Sequence, residues 1–411
     1  MVKLNRSKVS GTIRAPPSKP IALRLIFSSI FTYVNLQDLQ SSDDVDTSLR
    51  VVEALGVSRE GTHLKPPVKP KLRLDYLNLG GSGTSLRFLI PIFSILGGRL
   101  TIDGDETLRR RPLNDLLPQL ESLGMRVSSY KLPLTLEGRI DADEVELKGL
   151  KSSQYISGFI YAFMLRGGGT ISFPTDLGSM SYIRLTADLL NQLGAKVRIG
   201  EGVVKIDGGP TLDFTGPVPG DYLFSSFYAG AGILSGGEVE ISGLPDPPDY
   251  FGDHSIVKLF AEMGAVSFYD EGKWRVEPGS LRGIDVDVNQ APDLAPSVAV
   301  LSAMANGETR LRGVERLRLK ESDRVSTISE ALRRFGIEVT EGSEEILIRG
   351  SPLPHYGHVK CPNDHRIAMM AGAIGSTVGA LIEQAECVRK SNPKFWEDLR
   401  FLGTRLEILE T

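Results

Sequence analysis

The sequence predicts an α/β fold built from six repeated supersecondary units. A helical stretch that ends in an apolar residue and glycine, and then enters a strand, recurs six times. The glycines, at intervals of 68, 70, 70, 72 and 67 residues, are Gly56, Gly124, Gly194, Gly264, Gly336 and Gly403. Glycine fits here because the residue that ends a helix is often left-handed. Repeats of this length indicate duplicated supersecondary units.

Polar residues keep a fixed phase in every unit, in two series. The first series, about one helix length before each glycine, is Asp43-Asp44, Arg111-Pro112, Ser179, Asp253, Glu321-Ser322-Asp323 and Lys390-Ser391. The second is Lys19, Gly83-Thr84, Ser152-Ser153-Gln154, Asp221, Asp293 and Asn363-Asp364-His365-Arg366. Each unit is therefore predicted to contain two strand-then-helix passages, with polar residues at both helix N-termini.

These helix N-termini are candidate anion sites. Their backbone N–H groups lack partners within the helix, and the helix dipole is positive there. Ordinary capping explains the serines and aspartates. It does not explain Lys19, Arg111 and Lys390, because the dipole disfavours a cation at a helix start unless an anion is bound. We therefore expect a cleft lined by anion-binding helix termini.

Short alternating stretches predict the strands, and helices rich in alanine and leucine lie between them. The strands are expected at 8–14, 99–103, 196–199, 238–242, 309–312 and 345–349. Two helical stretches, 295–305 and 368–374, lack a charged face. They should therefore be buried on most sides.

Two proline-rich segments, 15–20 and 217–220, are the stiffest crossings between the repeats. Six units divide naturally into two groups of three, and the first strand is expected to join the C-terminal group. We predict a discontinuous domain of residues 1–15 and 219–411, and an inserted domain of residues 16–218.

Composition restricts the function classes. A length of 411 residues is enough for roughly two domains with full cores. A net charge of −4 does not suggest a nucleic-acid or membrane-surface partner. Residues 1–13 lack the apolar core of a signal peptide, and no apolar run approaches the roughly 20 residues that span a bilayer. Two cysteines indicate a reducing compartment, so we expect a cytoplasmic protein.

Two charged clusters are candidates for chemistry. The run 318–324 opens a helix with cations, two carboxylates and a hydroxyl, although a solvated salt-bridge surface is an equal alternative for a charge run alone. The second cluster, 363–366, leads directly into the apolar run 367–370. That change places Arg366 at the mouth of a core element, which favours a role in binding phosphate or carboxylate.

Three further motifs are less specific. The glycine-rich turn 79–87 is not a Walker loop, and a tight turn without a ligand is an equal alternative. Arg109, Arg110 and Arg111 precede Pro112, which predicts an anion-gripping loop with the proline at the first helical position, or else a surface basic run. One cluster has even a loose metal-ligand spacing, namely His355, His358, Cys361 and His365. Zinc sites usually pair Cys and His at tighter spacings, so a metal site is only a minor alternative.

Together these residues resemble the enolpyruvylshikimate-phosphate synthase family, whose members transfer the enolpyruvyl group of phosphoenolpyruvate to shikimate 3-phosphate. The matches follow the whole chain, and the charged motifs near 320 and 363 are the most specific. They are Pro17-Ser18-Lys19 with Arg24, Ser42-Asp43-Asp44, Ser82-Gly83-Thr84 with Arg87, Arg111-Pro112, Ser152-Ser153-Gln154, Ser179 with Tyr182, Pro292-Asp293, Lys320-Glu321-Ser322-Asp323-Arg324, Asn363-Asp364-His365-Arg366 and Lys390-Ser391.

The resemblance implies an α/β (α+β) fold: a two-domain inside-out barrel with three βαβαββ repeats in each domain and helix N-termini facing an interdomain cleft. It implies that shikimate 3-phosphate is held by Lys19, Arg24, Ser152, Ser153, Gln154, Ser179, Asp293 and Lys320. It implies that phosphoenolpyruvate is held by Lys19, Gly83, Arg111, Gln154, Arg324, Arg366 and Lys390. No cofactor, metal, nucleic acid or membrane partner is implied, and we expect a monomer.

The implied reaction is an addition followed by an elimination. It needs a base for the shikimate 5-hydroxyl and an acid that faces C3 of phosphoenolpyruvate. We assign the hydroxyl side to Asp293 and the proton at C3 to Glu321 with help from Lys19, and His365 is the other candidate. Glu321 could act at neutral pH only if burial raises its pKa against the neighbouring cations.

The chain departs from the family pattern at several positions. The family usually has serine where Pro20 stands, so a hydroxyl and an N–H that would contact substrate are lost. The family commonly has asparagine where this chain has Gly81, and an acidic residue where it has Arg110. It usually has two serines where this chain has Leu223 and Phe224. Pro20 puts substrate affinity in question more than catalysis, because Lys19 and Arg24 remain.

Two alternatives are open. A sister transferase that acts on a UDP-sugar typically carries cysteine in the loop matching 105–111, where this chain has none. A catalytically silent anion-binding relative is favoured by Pro20, whereas the intact Asp293, Glu321 and His365 argue against it.

Overall fold

A computed structural model describes residues 1–409 of the chain. By internal contacts the chain divides into two compact units. The split unit combines Met1–Ser18 with the chain from Pro219 onward, and the inserted unit is Lys19–Val218. The domain boundaries predicted from the sequence, 1–15 with 219–411 and 16–218, stay a prediction about folding domains.

The strands in the described residues are short, mostly of three to five residues. In chain order they are β1 (Val2–Asn5), β2 (Gly11–Arg14), β3 (Val34–Gln37), β4 (Ser58–Glu60), β5 (His63–Lys65), β6 (Tyr76–Asn78), β7 (Arg99–Asp103), β8 (Arg126–Val127), β9 (Leu134–Glu137), β10 (Glu144–Glu146), β11 (Gly169–Ser172), β12 (Val197–Gly200), β13 (Val203–Ile206), β14 (Phe214–Pro217), β15 (Val239–Ser242), β16 (Val266–Asp270), β17 (Lys273–Glu277), β18 (Asp285–Asp287), β19 (Glu308–Arg312), β20 (Glu338–Glu341), β21 (Glu345–Arg349), β22 (Gly357–Lys360), β23 (Ala380–Glu383) and β24 (Arg405–Ile408).

The α-helices lie between these strands, and three short 3₁₀ helices accompany them. The α-helices are α1 (Lys19–Ser28), α2 (Asp43–Ala54), α3 (Gly83–Leu96), α4 (Glu106–Arg109), α5 (Leu117–Ser122), α6 (Gln154–Arg166), α7 (Met180–Gln192), α8 (Tyr222–Ser235), α9 (Ile256–Glu262), α10 (Leu294–Ser302), α11 (Arg324–Arg334), α12 (His365–Val378) and α13 (Phe395–Phe401). The 3₁₀ helices are Asp253–Ser255, Glu315–Leu319 and Ala385–Lys390.

The described strands form six four-stranded sheets, and every sheet repeats one pairing pattern. A parallel pair is followed by two antiparallel pairings. The split unit contains β2-β15-β17-β16, β18-β19-β21-β20 and β22-β23-β1-β24, and the inserted unit contains β14-β3-β5-β4, β6-β7-β9-β8 and β10-β11-β13-β12. The repeat from β10 to β13 shows the underlying order of strand, helix, strand, helix and two further strands. The predicted α/β fold of repeated units is confirmed.

Two sheets of the split unit are completed by N-terminal strands that lie far in sequence from their partners. Ile13 of β2 pairs with Ile241 of β15, and Leu4 of β1 pairs with both Ala380 and Leu406. The N-terminal strands therefore belong to the split unit, because their backbone hydrogen bonds are made there. The strand predicted at 8–14 begins only at Gly11, since the N–H groups of Val9 and Ser10 donate to Ser235 and Leu402 instead of to a neighbouring strand.

Buried helices form the centre of each unit, and the sheets cover them with alternating exposed and buried residues. Every residue of α10 and all of α12 except Val378 are buried, as predicted for 295–305 and 368–374, although α10 ends at Ser302. Strand β19 alternates exposed and buried, so one face of its sheet meets solvent. The six repeat glycines all have left-handed φ values, between +79° and +109°, which confirms their role as helix ends.

Candidate active site

Ten of the twelve polar positions lie within three residues of a helix start, so the phase predicted from the sequence is largely confirmed. Arg111 and Lys390 are the exceptions. The expectation that Pro112 opens a helix is wrong, because α5 begins at Leu117. The turn before α5 buries Leu113 and Leu116 completely, and it occupies the residues that the helix was expected to use.

An ion-pair cluster lies in the split unit around the N-termini of α10, α11 and α12. Its centre is the guanidinium of Arg324, which is only 1% exposed. Arg324 Nη1 lies 2.9 Å from Asp293 Oδ1, Nη2 lies 2.7 Å from Glu321 Oε2, and Nε lies 2.9 Å from Asp364 Oδ2. Three carboxylates therefore fix one guanidinium, and together they raise the pKa of Arg324 against the opposing effect of burial.

Asp293 joins three cations. Its Oδ1 also lies 3.0 Å from Lys320 Nζ, and its Oδ2 lies 3.4 Å from Arg366 Nη2. Burial alone would raise the pKa of Asp293, but the charges of Lys320, Arg366 and Arg324 outweigh burial and hold that pKa well below its ordinary value of 3.8. Burial lowers the pKa of Lys320, and Asp293 partly offsets this. Asp293 is therefore ionised at neutral pH.

Asp364 connects α11 to α12, and it was not among the predicted site residues. It is fully buried, accepts from the N–H of Arg366 at 3.1 Å as the N-cap of α12, and accepts from Ser322 Oγ at 2.8 Å. The sequence did offer a signal for its first role: an aspartate in the N-cap position of the charged motif 363–366, directly before an apolar helix. Its second role, pairing with Arg324, required the tertiary contact.

The remaining predicted residues of the split unit adjoin this cluster. Lys390 Nζ lies 3.6 Å from Glu321 Oε1. His365 is fully buried, and its ring packs edge-on against Phe224 at 6.3 Å. The guanidinium of Arg366 lies over the same ring at 5.4 Å. The structure thus brings together the predicted split-unit residues, namely Asp293, Lys320, Glu321, Arg324, His365, Arg366 and Lys390.

In the inserted unit, two guanidinium groups lie over the N-terminus of α3. A Cβ added to Gly83, the first residue of α3, would lie 2.8 Å from Arg87 Nη1 and would collide with the guanidinium of Arg111. Both arginines are buried. Because Gly83 has no side chain, both guanidinium groups can approach the N-terminus of α3. Two cations at a helix N-terminus form an arrangement suited to binding an anion.

The N-terminus of α6 contacts the N-terminal turn of α3 through hydrogen bonds of Gln154. Gln154 Nε2 donates to Thr84 Oγ1 at 2.9 Å, and its Oε1 accepts from Arg87 Nη1 at 3.4 Å. Ser152 Oγ accepts from the N–H of Gln154 at 3.3 Å, and Ser153 is the N-cap residue. Gly83, Arg111 and Gln154 therefore form one group with Thr84 and Arg87.

Lys19, Arg24 and Ser179 lie on α1 and at the start of α7. Lys19 Nζ pairs with Asp44 at 3.1 Å. Arg24 is 2% exposed and donates to Thr186 Oγ1 at 2.7 Å, to the carbonyl of Pro20 at 2.9 Å and to that of Tyr182 at 3.1 Å. Arg24 thus ties α1 to α7, and its predicted contact with shikimate 3-phosphate stays a prediction. Ser179 is buried and left-handed, with φ +62°.

No three His, Cys, Asp or Glu side chains among residues 1–409 are grouped to hold a metal ion. The histidines of the 355–365 segment have separate surroundings: His358 pairs with Glu383 at 2.6 Å, and His355 contacts the carbonyl of Tyr356 at 3.0 Å. In the same described range, no helix has the length and apolar character needed to cross a bilayer.

Comparisons with known proteins agree with one another. The family model described as EPSP synthase (3-phosphoshikimate 1-carboxyvinyltransferase) matches residues 4–399. A protein of Sulfurisphaera tokodaii named 3-phosphoshikimate 1-carboxyvinyltransferase is 46% identical over 409 residues, which cover 99% of this chain and 100% of that protein. A protein of the same name from Caldivirga maquilingensis is 42% identical, with 99% and 100% covered. The solved EPSP synthase of Acinetobacter baumannii shares the fold, with a TM-score of 0.77, 23% identity and 99% of each chain covered.

Proposed function

The chain belongs to the EPSP synthase family, and we propose that it transfers the enolpyruvyl group of phosphoenolpyruvate to the 5-hydroxyl of shikimate 3-phosphate. The products are enolpyruvylshikimate 3-phosphate and inorganic phosphate. This is the 3-phosphoshikimate 1-carboxyvinyltransferase reaction of the shikimate pathway, which leads to chorismate and the aromatic amino acids. The family match over 4–399 and the 46% identity over nearly the full chain support it.

The observation that carries the proposal is the ion-pair cluster on Arg324. The reaction joins two phosphorylated anions and moves two protons. The cluster places four cations beside Asp293 and Glu321, the two carboxylates proposed to carry protons. These cations are Arg324, Lys320, Arg366 and Lys390. Buried carboxylates and cations that shift one another's pKa values are typical of active sites.

The addition step removes a proton from the acceptor hydroxyl and places one on C3. In the proposal Asp293 accepts the hydroxyl proton while the oxygen bonds to C2, and Glu321 protonates C3 to a methyl group. In the elimination step C3 returns its proton, and the C–O bond to phosphate breaks with its electron pair. The cations on Asp293 make it a weak base in the free protein. Substrate anions that engage Lys320 and Arg366 would draw those charges away and raise the basicity of Asp293.

The binding residues stay proposals. We assign shikimate 3-phosphate to Lys19, Arg24, Ser152, Ser153, Gln154, Ser179, Asp293 and Lys320, and phosphoenolpyruvate to Lys19, Gly83, Arg111, Gln154, Arg324, Arg366 and Lys390. Pro20 occupies the second position of α1, where its missing N–H has no helical partner to lose. The reaction is proposed to need no cofactor. It is proposed to occur in the cytoplasm, where cysteines such as the free Cys361 and Cys387 stay reduced.

The test is a steady-state assay of phosphate release with both substrates and with each one omitted. We expect release only when both are present, together with a product whose mass equals shikimate 3-phosphate plus the enolpyruvyl group. Replacing shikimate 3-phosphate by a UDP-sugar acceptor should give none. Binding of shikimate 3-phosphate without any turnover would instead support the silent relative that Pro20 suggested.

A further inference from the structure

A buried chain of hydrogen bonds lies in the split unit, just after Lys390 in sequence. Asn392 is fully buried, and its Nδ2 donates to Tyr228 Oη at 3.1 Å. Tyr228 is fully buried as well, and its hydroxyl donates to Asp398 Oδ2 at 2.7 Å. These three polar side chains therefore connect α8, the 388–392 turn and α13.

The surroundings of this chain of hydrogen bonds are apolar and aromatic. The ring of Phe395 stacks on that of Tyr228, with 5.6 Å between the centroids, and Met369 Sδ of α12 lies 3.8 Å from Asn392 Nδ2. Burial of an amide or a hydroxyl costs free energy unless the group finds a hydrogen-bond partner. Because the contacts of Asn392 come from α8 and α12, they fix where its side chain lies relative to both helices.

Asn392 also fixes the backbone on both sides of it. Its N–H donates to the carbonyl of Val388 at 2.8 Å, and its carbonyl accepts from the N–H of Phe395 at 3.1 Å. The N–H of Ser391 donates to the same carbonyl of Val388, at 3.1 Å. Lys390 lies inside this closed turn, so its backbone cannot move independently of Asn392.

The side chain of Lys390 extends from the turn towards Glu321. It is 11% exposed, and its Nζ lies 3.6 Å from Glu321 Oε1. A lysine side chain is long and flexible, so the place of its ammonium group depends on a fixed backbone. We propose that Asn392 is a positioning residue for Lys390. Anchored through Tyr228, it holds the 388–392 turn where the ammonium group reaches Glu321.

This inference rests on the proposed function, in which Lys390 binds phosphoenolpyruvate. Asn392→Ala should raise KM for phosphoenolpyruvate about 10-fold, because a displaced ammonium group binds this substrate less well. It should change KM for shikimate 3-phosphate by less than about 3-fold. Tyr228→Phe removes one hydroxyl and keeps the stacked ring, so KM for phosphoenolpyruvate should rise only about 3-fold.

Tyr269→Phe is the matched control, because Tyr269 Oη also donates to an aspartate at 2.7 Å, namely Asp246, but lies on β16. It should keep both KM values. Asn392→Ala is then combined with Lys390→Met, where it should raise KM for phosphoenolpyruvate no further, since the group that it positions is gone. An equal effect of Asn392→Ala with and without Lys390 would mean a structural role only, and it would overturn the inference.

A second measurement does not depend on turnover. The lysines are dimethylated with carbon-13 formaldehyde, and the methyl resonance of Lys390 is identified by its absence from Lys390→Arg. Without ligand, Asn392→Ala should move this resonance towards those of exposed lysines, and Tyr269→Phe should not. If Asn392→Ala does not fold, Tyr228→Phe takes its place and should move the resonance less, in the same direction.

An unmoved Lys390 resonance in the variant overturns the inference. A wild-type protein without turnover, in which the variant still moves the resonance as expected, would count against the proposed function alone.

Discussion

Arg324 in the split unit and Arg87 in the inserted unit are both buried arginines beside helix N-termini, yet their charges are compensated in opposite ways. Arg324 is held by three carboxylates within 3 Å, whereas Arg87 has two long hydrogen bonds to neutral oxygens. The chain therefore fixes Arg324 before any ligand binds, and a ligand there must share it with Asp293, Glu321 and Asp364.

The largest effect should come from removing the shared cation. Arg324→Ala leaves three carboxylates close together in a buried place, so we expect the free energy of unfolding to fall by about 3–5 kcal/mol and KM for phosphoenolpyruvate to rise by about 100-fold or more. Urea unfolding and steady-state kinetics measure the two. Arg318→Ala, which breaks a more exposed pair with Asp323 at 3.0 Å, is the control and should change little. An unchanged KM would remove Arg324 from the phosphoenolpyruvate set.

The next largest effect is expected for Glu321→Gln, which distinguishes two roles of Glu321: neutralising the neighbouring cations and transferring the C3 proton. Glu321→Gln keeps an oxygen for Arg324 but cannot donate or accept the C3 proton, so kcat should fall by roughly 10²–10⁴ while both KM values stay similar. Exchange of solvent deuterium into C3 of phosphoenolpyruvate should be lost as well. Glu341→Gln alters a carboxylate of β20 that pairs with Arg333 of α11, and it should leave kcat unchanged. Near-normal turnover and exchange would pass the proton role to Lys19 or His365.

A smaller effect tests the space at the start of α3. In Gly83→Ala the new methyl group must displace the guanidinium groups of Arg111 and Arg87, so KM for phosphoenolpyruvate should rise roughly 10-fold, about 1.4 kcal/mol, with little change for shikimate 3-phosphate. Gly208→Ala adds the same methyl group to open space and should match wild type. Equal effects of the two substitutions would contradict the crowding described here.

The smallest effect concerns acid stability. The pKa of Asp293 is lower in the folded than in the unfolded chain, so its contribution to stability is present above about pH 4 and is lost as pH falls. Between pH 5 and pH 3, wild type should lose about 1 kcal/mol more unfolding free energy than Asp293→Asn. Urea unfolding at several pH values measures this difference. Identical pH slopes would show that the three cations do not hold the pKa of Asp293 down.

Local patterns in the sequence predicted much of this molecule. A glycine that ends a helix and a polar residue that begins one affect only the backbone next to them in sequence. Their spacing therefore predicted the helix boundaries without a structure. The prediction that Pro112 opens a helix was wrong because a local preference does not decide which of several nearby residues begins the helix. Proline fits the first turn of a helix, but in α5 that proline is Pro118, and the buried Leu113 and Leu116 lie in the turn before the helix.

The sequence by itself determined the six repeats, the α/β class and the residue types gathered at the helix N-termini, because these follow from local propensity and periodicity. Only the tertiary structure decided which charges meet. Asp364 reaches Arg324 across 40 residues, and Arg87 reaches Gln154 across 67. Coulomb energy and desolvation depend on distance and burial rather than on separation along the chain. The three carboxylates around Arg324 and the neutral acceptors of Arg87 therefore come together only once the helices are packed.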